Sequence, residues 1–263
     1  MSSPAETRAA ATATVINDLE LQHRAIERLV TGAELDAGTL AAGWTVRDTI
    51  EHLLISDRLA FMAVADPAVF ASDRARRASS WTADAAAFDS EDLSRAFSLG
   101  HESLIGGLRK ADPDQRVGWM GPSMSLRSFA TARIMENWAH GEDIAQAVGG
   151  VYPTTGGLHH ICHLGVLTRT FSFTVRGEPA PEDPVRVELD LPEGTTWQAG
   201  DPAAENRVSG PGRDFCLVVT QRRHVEDTSL TLHGDAAVAW MHCAQVFAGA
   251  PTSTAENRRG VPV

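Results

Sequence analysis

Glu136 and His140 stand four residues apart, and Asp143 follows three residues later. At 100° per residue these three fall within about 60° of arc on one helix, with Phe129, Ala132 and Ala147 beside them. A carboxylate, an imidazole and a second carboxylate on a stripe of small and apolar residues are costly to bury unpaired. A divalent cation held between helices would remove that cost, and Glu and His ligands at one-turn spacing are how helical bundles build metal sites. A third ligand is available in His52, whose helical face it shares with Thr49, Ile55, Ser56 and Leu59. That face is mostly apolar, which turns His52 inward. Three ligands would leave a position open for water or substrate, as catalytic sites do. Asp143 then fits as the acceptor that orients a ligand histidine. The same spacings also suit an ordinary i,i+4 ion pair and a hydrogen-bonded core histidine, so geometry alone leaves both readings open.

The elements that must position these residues are helical. Val46–Val64 reads as a helix opened by Thr45, with Asp48 three residues on as a capping box, and closed before Pro67. Arg47, Glu51 and Arg58 form its solvent stripe, with Ile50, Leu54 and Phe61 adjoining. Leu126–Val148 is the helix that carries Glu136 and His140, stopped by Gly149-Gly150. Ala10–Leu29 and Glu91–Ala111 complete a set of four. After Tyr152 the composition changes. Leu158–Val175 reads as one more helix, then Gly and Pro become frequent around β-type runs at Val185–Leu191, Phe215–Gln221 and Ser229–Leu232, before a last helix at Ala236–Ala248. Helices first, then strands with flanking helices, is the α+β pattern. The expectation is a four-helix bundle over residues 1–150 and a smaller mixed α/β domain over residues 151–263.

Composition sets the context. The 263 residues carry a net charge of −11, which argues against nucleic acid as a partner. Cys162, Cys216 and Cys243 are too few and too widely spaced for a disulfide framework, and read as small buried hydrophobes in a reducing cytoplasm. Neither a signal peptide nor an apolar run of membrane-spanning length is visible, so no membrane partner is expected. Of the 23 basic residues, Lys110 is the one lysine; the other 22 are arginine, in keeping with a GC-rich coding genome.

The run Gly43-Trp44-Thr45-Val46-Arg47-Asp48-Thr49-Ile50-Glu51-His52-Leu53, followed by Asp57, resembles the first signature of the mycothiol-dependent maleylpyruvate isomerase family, one of the DinB-like metal-binding bundles. Ala132-Arg133-Ile134-Met135-Glu136-Asn137-Trp138-Ala139-His140-Gly141-Glu142-Asp143-Ile144 resembles the second. The likeness runs over about residues 12–250. It implies that His52, Glu136 and His140 bind a divalent metal, commonly zinc, and that mycothiol is the co-substrate. A free thiol of pKa ~8.5 is mostly protonated at neutral pH, and coordination favours the thiolate. Its addition to a small electrophilic double bond, then rotation and loss of the thiol, gives an isomerase; retention of the thiol gives an S-transferase. A metal-binding protein of this fold without thiol chemistry, and a metal-assisted hydrolase, are the alternative functions.

An anionic substrate would call for a cationic clamp, and arginine's fork suits carboxylates. The resemblance includes an arginine from the second domain, to which Arg222 or Arg223 could correspond at the end of the run Phe215–Gln221. Arg133, one turn before Glu136, is a further candidate. Arg74, Arg76 and Arg77 read as a solvated loop. His159, His160 and His163 lack an acidic neighbour in sequence and are assigned to packing or hydrogen bonding. Trp44 and Trp138 read as core or staple residues. A monomer or small homo-oligomer is expected.

Overall fold

The computed structural model describes residues 3–39, 41, 43–72, 80, 88–119, 121–153 and 157–249. The chain divides into two compact units, Met1–Pro153 and Thr154–Val263. The basic cluster at Arg74, Arg76 and Arg77 lies outside the described residues.

In the first unit, four long helices are set by their caps. Helix α1 (Pro4–Val30) starts six residues before its expected beginning. Ser3 and Glu6 close a capping box there, with Pro4 in the first turn. Helix α2 (Val46–Ala65) opens on the expected box: the Thr45 amide donates to Asp48 (2.8 Å) and the Asp48 amide to Thr45 Oγ1 (3.2 Å). Asp89 caps α3 (Ser90–Lys110) and Ser125 caps α4 (Leu126–Ala147). A two-residue hairpin, β1 (Arg116–Val117) with β2 (Met124–Ser125), leads into α4. Helix α4 stops where Gly149 takes a positive φ of 65°, a conformation that favours glycine. Helix α1 packs on α3 and α4, and α2 packs on the same two, so the four close into a ring. The core is fully buried Leu19, Ile26, Ile50, Leu54, Leu93, Phe97, Phe129 and Trp138. No helix among the described residues is long and apolar enough to cross a membrane.

The second unit is built on a four-stranded mixed sheet in the order β4–β3–β5–β6. Strand β3 (Val185–Asp190) runs antiparallel to β4 (Thr196–Ala199) and parallel to β5 (Asn206–Pro211), with Val187 opposite Val208. Strand β6 (Thr231–His233) closes the other edge. Three expectations need correction. The run Phe215–Gln221 is not a strand: Phe215–Val219 belongs to helix α7 (Gly212–Val219), which follows β5 directly, and Thr220 and Gln221 end it. A short apolar run does not reveal its period, and here burial of Phe215, Cys216 and Val219 outweighs the strand preference of Val218-Val219. Leu158–Val175 is two helices, α5 (Leu158–Leu167) and α6 (Arg169–Thr174), divided at Thr168, whose hydroxyl bonds back to the Leu164 carbonyl (2.9 Å). The final helix, α8 (Asp235–Cys243), ends five residues early. Strand β5 escaped notice because Asn, Ser, Gly and Pro dilute its strand character; pairing on both sides holds it.

Candidate metal centre

The capping box at Thr45 fixes where α2 begins and therefore which residue of its second turn faces α4. That residue is His52. Its Nε2 lies 2.8 Å from Glu136 Oε1, and His140 Nε2 lies 3.5 Å from the same oxygen. The two rings are 4.8 Å apart between centroids and inclined at 61°. One donor atom from each of His52, Glu136 and His140 falls within 4.8 Å of the others. Behind them Asp143 Oδ2 accepts from His140 Nδ1 at 3.1 Å. Exposure is graded across the group. The Asp143 side chain is 1% exposed, His140 10%, Glu136 24% and His52 35%, so His52 stands at the mouth rather than inside, as its apolar face had suggested.

Burial alone would raise the Glu136 carboxyl, but hydrogen bonds with His140 and His52, and their charges, hold it well below the ordinary carboxylate range. Two imidazole Nε2 atoms and an ionised carboxylate therefore converge from two helices, with the remaining nitrogen of His140 held by a buried acid. This donor set, its open side toward solvent, is of the kind that would hold a divalent metal.

Trp44 is more than a staple. Gly43 (φ 81°) turns the chain just before it, and the half-buried indole meets the His52 ring edge-on at 5.1 Å and lies parallel to His140 at 5.8 Å. Trp138 is wholly in the core. Arg133, expected as a substrate clamp, points elsewhere. It is 2% exposed and its guanidinium is used inside the bundle, Nη1 donating to Ser56 Oγ (2.6 Å) and Nη2 to Asp57 Oδ1 (2.8 Å). In the second unit, Arg222 and Arg223 stand in the turn that ends α7, not at a strand end. Their amides both donate to the Leu217 carbonyl, after Gln221 has taken a φ of 60°. Arg222 Nη1 reaches the Thr220 carbonyl (2.9 Å), and Arg223 Nη1 lies 4.0 Å from Asp214. All three cysteines are buried thiols, and burial pushes the Cys243 thiol up to about 11. His159 and His160 are half-buried at the start of α5, while His163 is exposed.

A second polar group was not expected. Asp57, fully buried, takes Arg133 on one oxygen and His101 Nδ1 on the other (3.0 Å). His101 lies stacked on His23 at 3.6 Å, nearly parallel at 4°. One donor atom from each of His23, Asp57 and His101 also falls within 4.8 Å of the others, but Asp57 is already paired with Arg133, the two rings are stacked face to face and all three residues are buried, unlike the solvent-open His52 site. The signal for it was present. His23 sits four residues after Leu19 and three before Ile26, and His101 holds the same place between Phe97 and Leu104, each on a core stripe.

Residues 19–145 match the family described as the mycothiol maleylpyruvate isomerase N-terminal domain. Two uncharacterized proteins of Mycobacterium tuberculosis are each 40% identical to this chain over 251 residues, which cover 90% of it and 96% of each relative. Among solved structures, the mycothiol-dependent maleylpyruvate isomerase and a histidine-to-alanine mutant of it share the fold. Each has a TM-score of 0.58 at 15% identity, covering 92% of this chain and 96% of theirs.

Proposed function

The chain belongs to the mycothiol maleylpyruvate isomerase family, and from that premise we propose that it is a divalent-metal enzyme that uses mycothiol on a small electrophilic substrate. The reading is carried by one observation: His52 Nε2 and His140 Nε2 converge on the ionised carboxylate of Glu136. In this reading His52, Glu136 and His140 hold the metal, zinc by the chemistry of the donor set. When bound, the metal lowers the pKa of a coordinating thiol, so that the thiolate is available at neutral pH.

The chain's own residues do the rest. Asp143 accepts the Nδ1 proton of His140, which fixes the tautomer that leaves Nε2 as a ligand and raises its basicity. Glu136 places a carboxylate oxygen between the two imidazoles. His52, the most exposed of the three, leaves the site open on its own side, and the indole of Trp44 walls the histidine pair there. The proposed reaction is addition of the thiolate to an electrophilic double bond. Rotation and expulsion of the thiol give cis–trans isomerisation, and its retention gives S-transfer. From the family resemblance, Arg222 or Arg223 is proposed as the contact for a substrate carboxylate.

The test is metal content after purification without added metal. Wild type is expected to hold one equivalent of zinc or a similar ion, and His52→Ala and Glu136→Ala to hold a small fraction of that. Unchanged metal in both variants refutes the ligand set. Mycothiol should then raise the melting temperature of the metal-loaded protein and not of the metal-free one. Equal protection of both forms counts against thiol coordination, and turnover of an ester or amide without thiol would replace the reading with a hydrolase.

A further inference from the structure

The buried group around Asp57 lies one turn from the His52 site on the same two helices. Along α2 the order is His52, then Ser56 and Asp57; along α4 their partners are Glu136, then Arg133. Rising numbers on one helix meet falling numbers on the other, so the helices run antiparallel and are tied at two levels about 5–6 Å apart. Of the four neighbouring helix pairs in the ring, α2 with α4 has the fewest close backbone approaches. The two backbones therefore approach least where alignment matters most to the proposed ligands. A slip of one residue moves a helix by about 1.5 Å, far more than the roughly 0.2 Å tolerance of a metal–ligand distance.

Arg133 is suited to preventing that slip. Its fork reaches two successive residues of α2, Ser56 at 2.6 Å and Asp57 at 2.8 Å, which fixes translation and rotation together. Asp57 is itself held by His101 of α3, and His101 is stacked on His23 of α1, so the clamp is referred to all four helices. We infer that the Arg133–Asp57–Ser56 clamp is a positioning device that sets the register of α2 against α4 and so holds His52 in line with Glu136 and His140. The inference rests on the proposed metal reading of those three residues. Buried charge pairs often add little net stability, and setting one register among alternatives is their best-attested use.

The experiment separates positioning from stability. Removing one charge alone leaves the other buried and unpaired, so the informative variant is the double Asp57→Asn/Arg133→Met, which removes both and keeps volume and an acceptor for His101. Full-length wild type, the double variant, Ser56→Ala and His52→Ala are loaded with cobalt(II), and zinc affinity is measured by competition with a chromophoric chelator. The double variant is expected to remain folded, to bind zinc at least about tenfold more weakly, and to show a changed cobalt absorption spectrum. Ser56→Ala, which loses one arm of the fork, should weaken binding by roughly two- to tenfold. A folded double variant with wild-type affinity and spectrum overturns the inference. Should the double variant not fold, Ser56→Ala decides: weakened binding supports positioning and unchanged binding overturns it. Failure of the underlying metal reading looks different, because wild type then takes up no cobalt or His52→Ala binds as wild type does, and the clamp's role falls with it.

Discussion

Arg133→Met is the perturbation whose energetics are most fully determined. Burial alone would raise the Asp57 carboxyl, but the Arg133 charge, with His101 beside it, outweighs burial and brings it from an ordinary 3.8 down to about 2. A depressed carboxylate contributes stability that is present above the unfolded pKa and lost as pH falls through the folded one. For Asp57 that means full effect above about pH 4 and loss toward pH 2. A difference of nearly two units is worth about 2 kcal/mol. Removing the guanidinium does more than cancel that contribution. It strands a carboxylate with no exposed surface, a defect of about 3–5 kcal/mol at pH 7. The expected fall in melting temperature is roughly 6–20 °C.

The sign of the pH dependence then reverses. Without Arg133 the Asp57 carboxyl is left with burial, the largest single influence on it, set against His101 and His23, and burial favours the neutral acid. Arg133→Met should therefore recover stability relative to wild type as pH falls from 7 to 5, where wild type gains nothing from this residue. Urea unfolding followed by helical circular dichroism at both pH values measures it, with Asp57→Asn/Arg133→Met as the control expected near wild type at pH 7. A loss below about 1 kcal/mol at pH 7, or curves for variant and wild type that stay parallel between pH 7 and 5, would refute the argument that Asp57 is charged and depends on Arg133.

Three further outcomes follow from the geometry. Asp143→Asn removes the charge behind His140 and should weaken metal binding by about 10–100-fold with the fold retained; chelator competition that matches wild type would show that His140 needs no such support. A methyl group at Gly141 would overlap the Tyr152 ring, whose hydroxyl lies 2.7 Å from Gln22 Oε1, so Gly141→Ala should cost about 1–3 kcal/mol in unfolding measurements, and a neutral result would place Tyr152 elsewhere. Trp44 emission should change when metal is added because its indole lies against both histidine rings, and the change should vanish in Trp44→Phe. A change of the same size in Trp44→Phe would assign the signal to another tryptophan.

What the sequence made legible has a physical pattern. The helices were readable because their caps are local: Thr45 with Asp48 and Gly149-Gly150 act within a few residues of themselves. The second unit was harder because its strands depend on partners distant in sequence. Asn206–Pro211 has little strand preference of its own, and its β conformation comes from Val185–Asp190 and Thr231–His233 on either side. Phe215–Val219 shows the converse, apolar residues whose period is settled by what they pack against.

The same distinction separates the two polar groups. Glu136, His140 and Asp143 lie on one helix, so a single periodicity brought them together and His52 needed only one facing helix. Asp57, Arg133, His101 and His23 come from four different helices, and no spacing within a helix links them. What each did show alone was a charge or an imidazole on a core stripe, the feature that made His52 conspicuous. A polar residue on a buried stripe asks for a partner; Arg133, Asp57 and His101 on three helices supply one another, while His23 stacks on His101 and lies 3.4 Å from Glu27. Arg133, with a buried acid 2.8 Å from its guanidinium, is thereby committed to the bundle and withdrawn from the substrate.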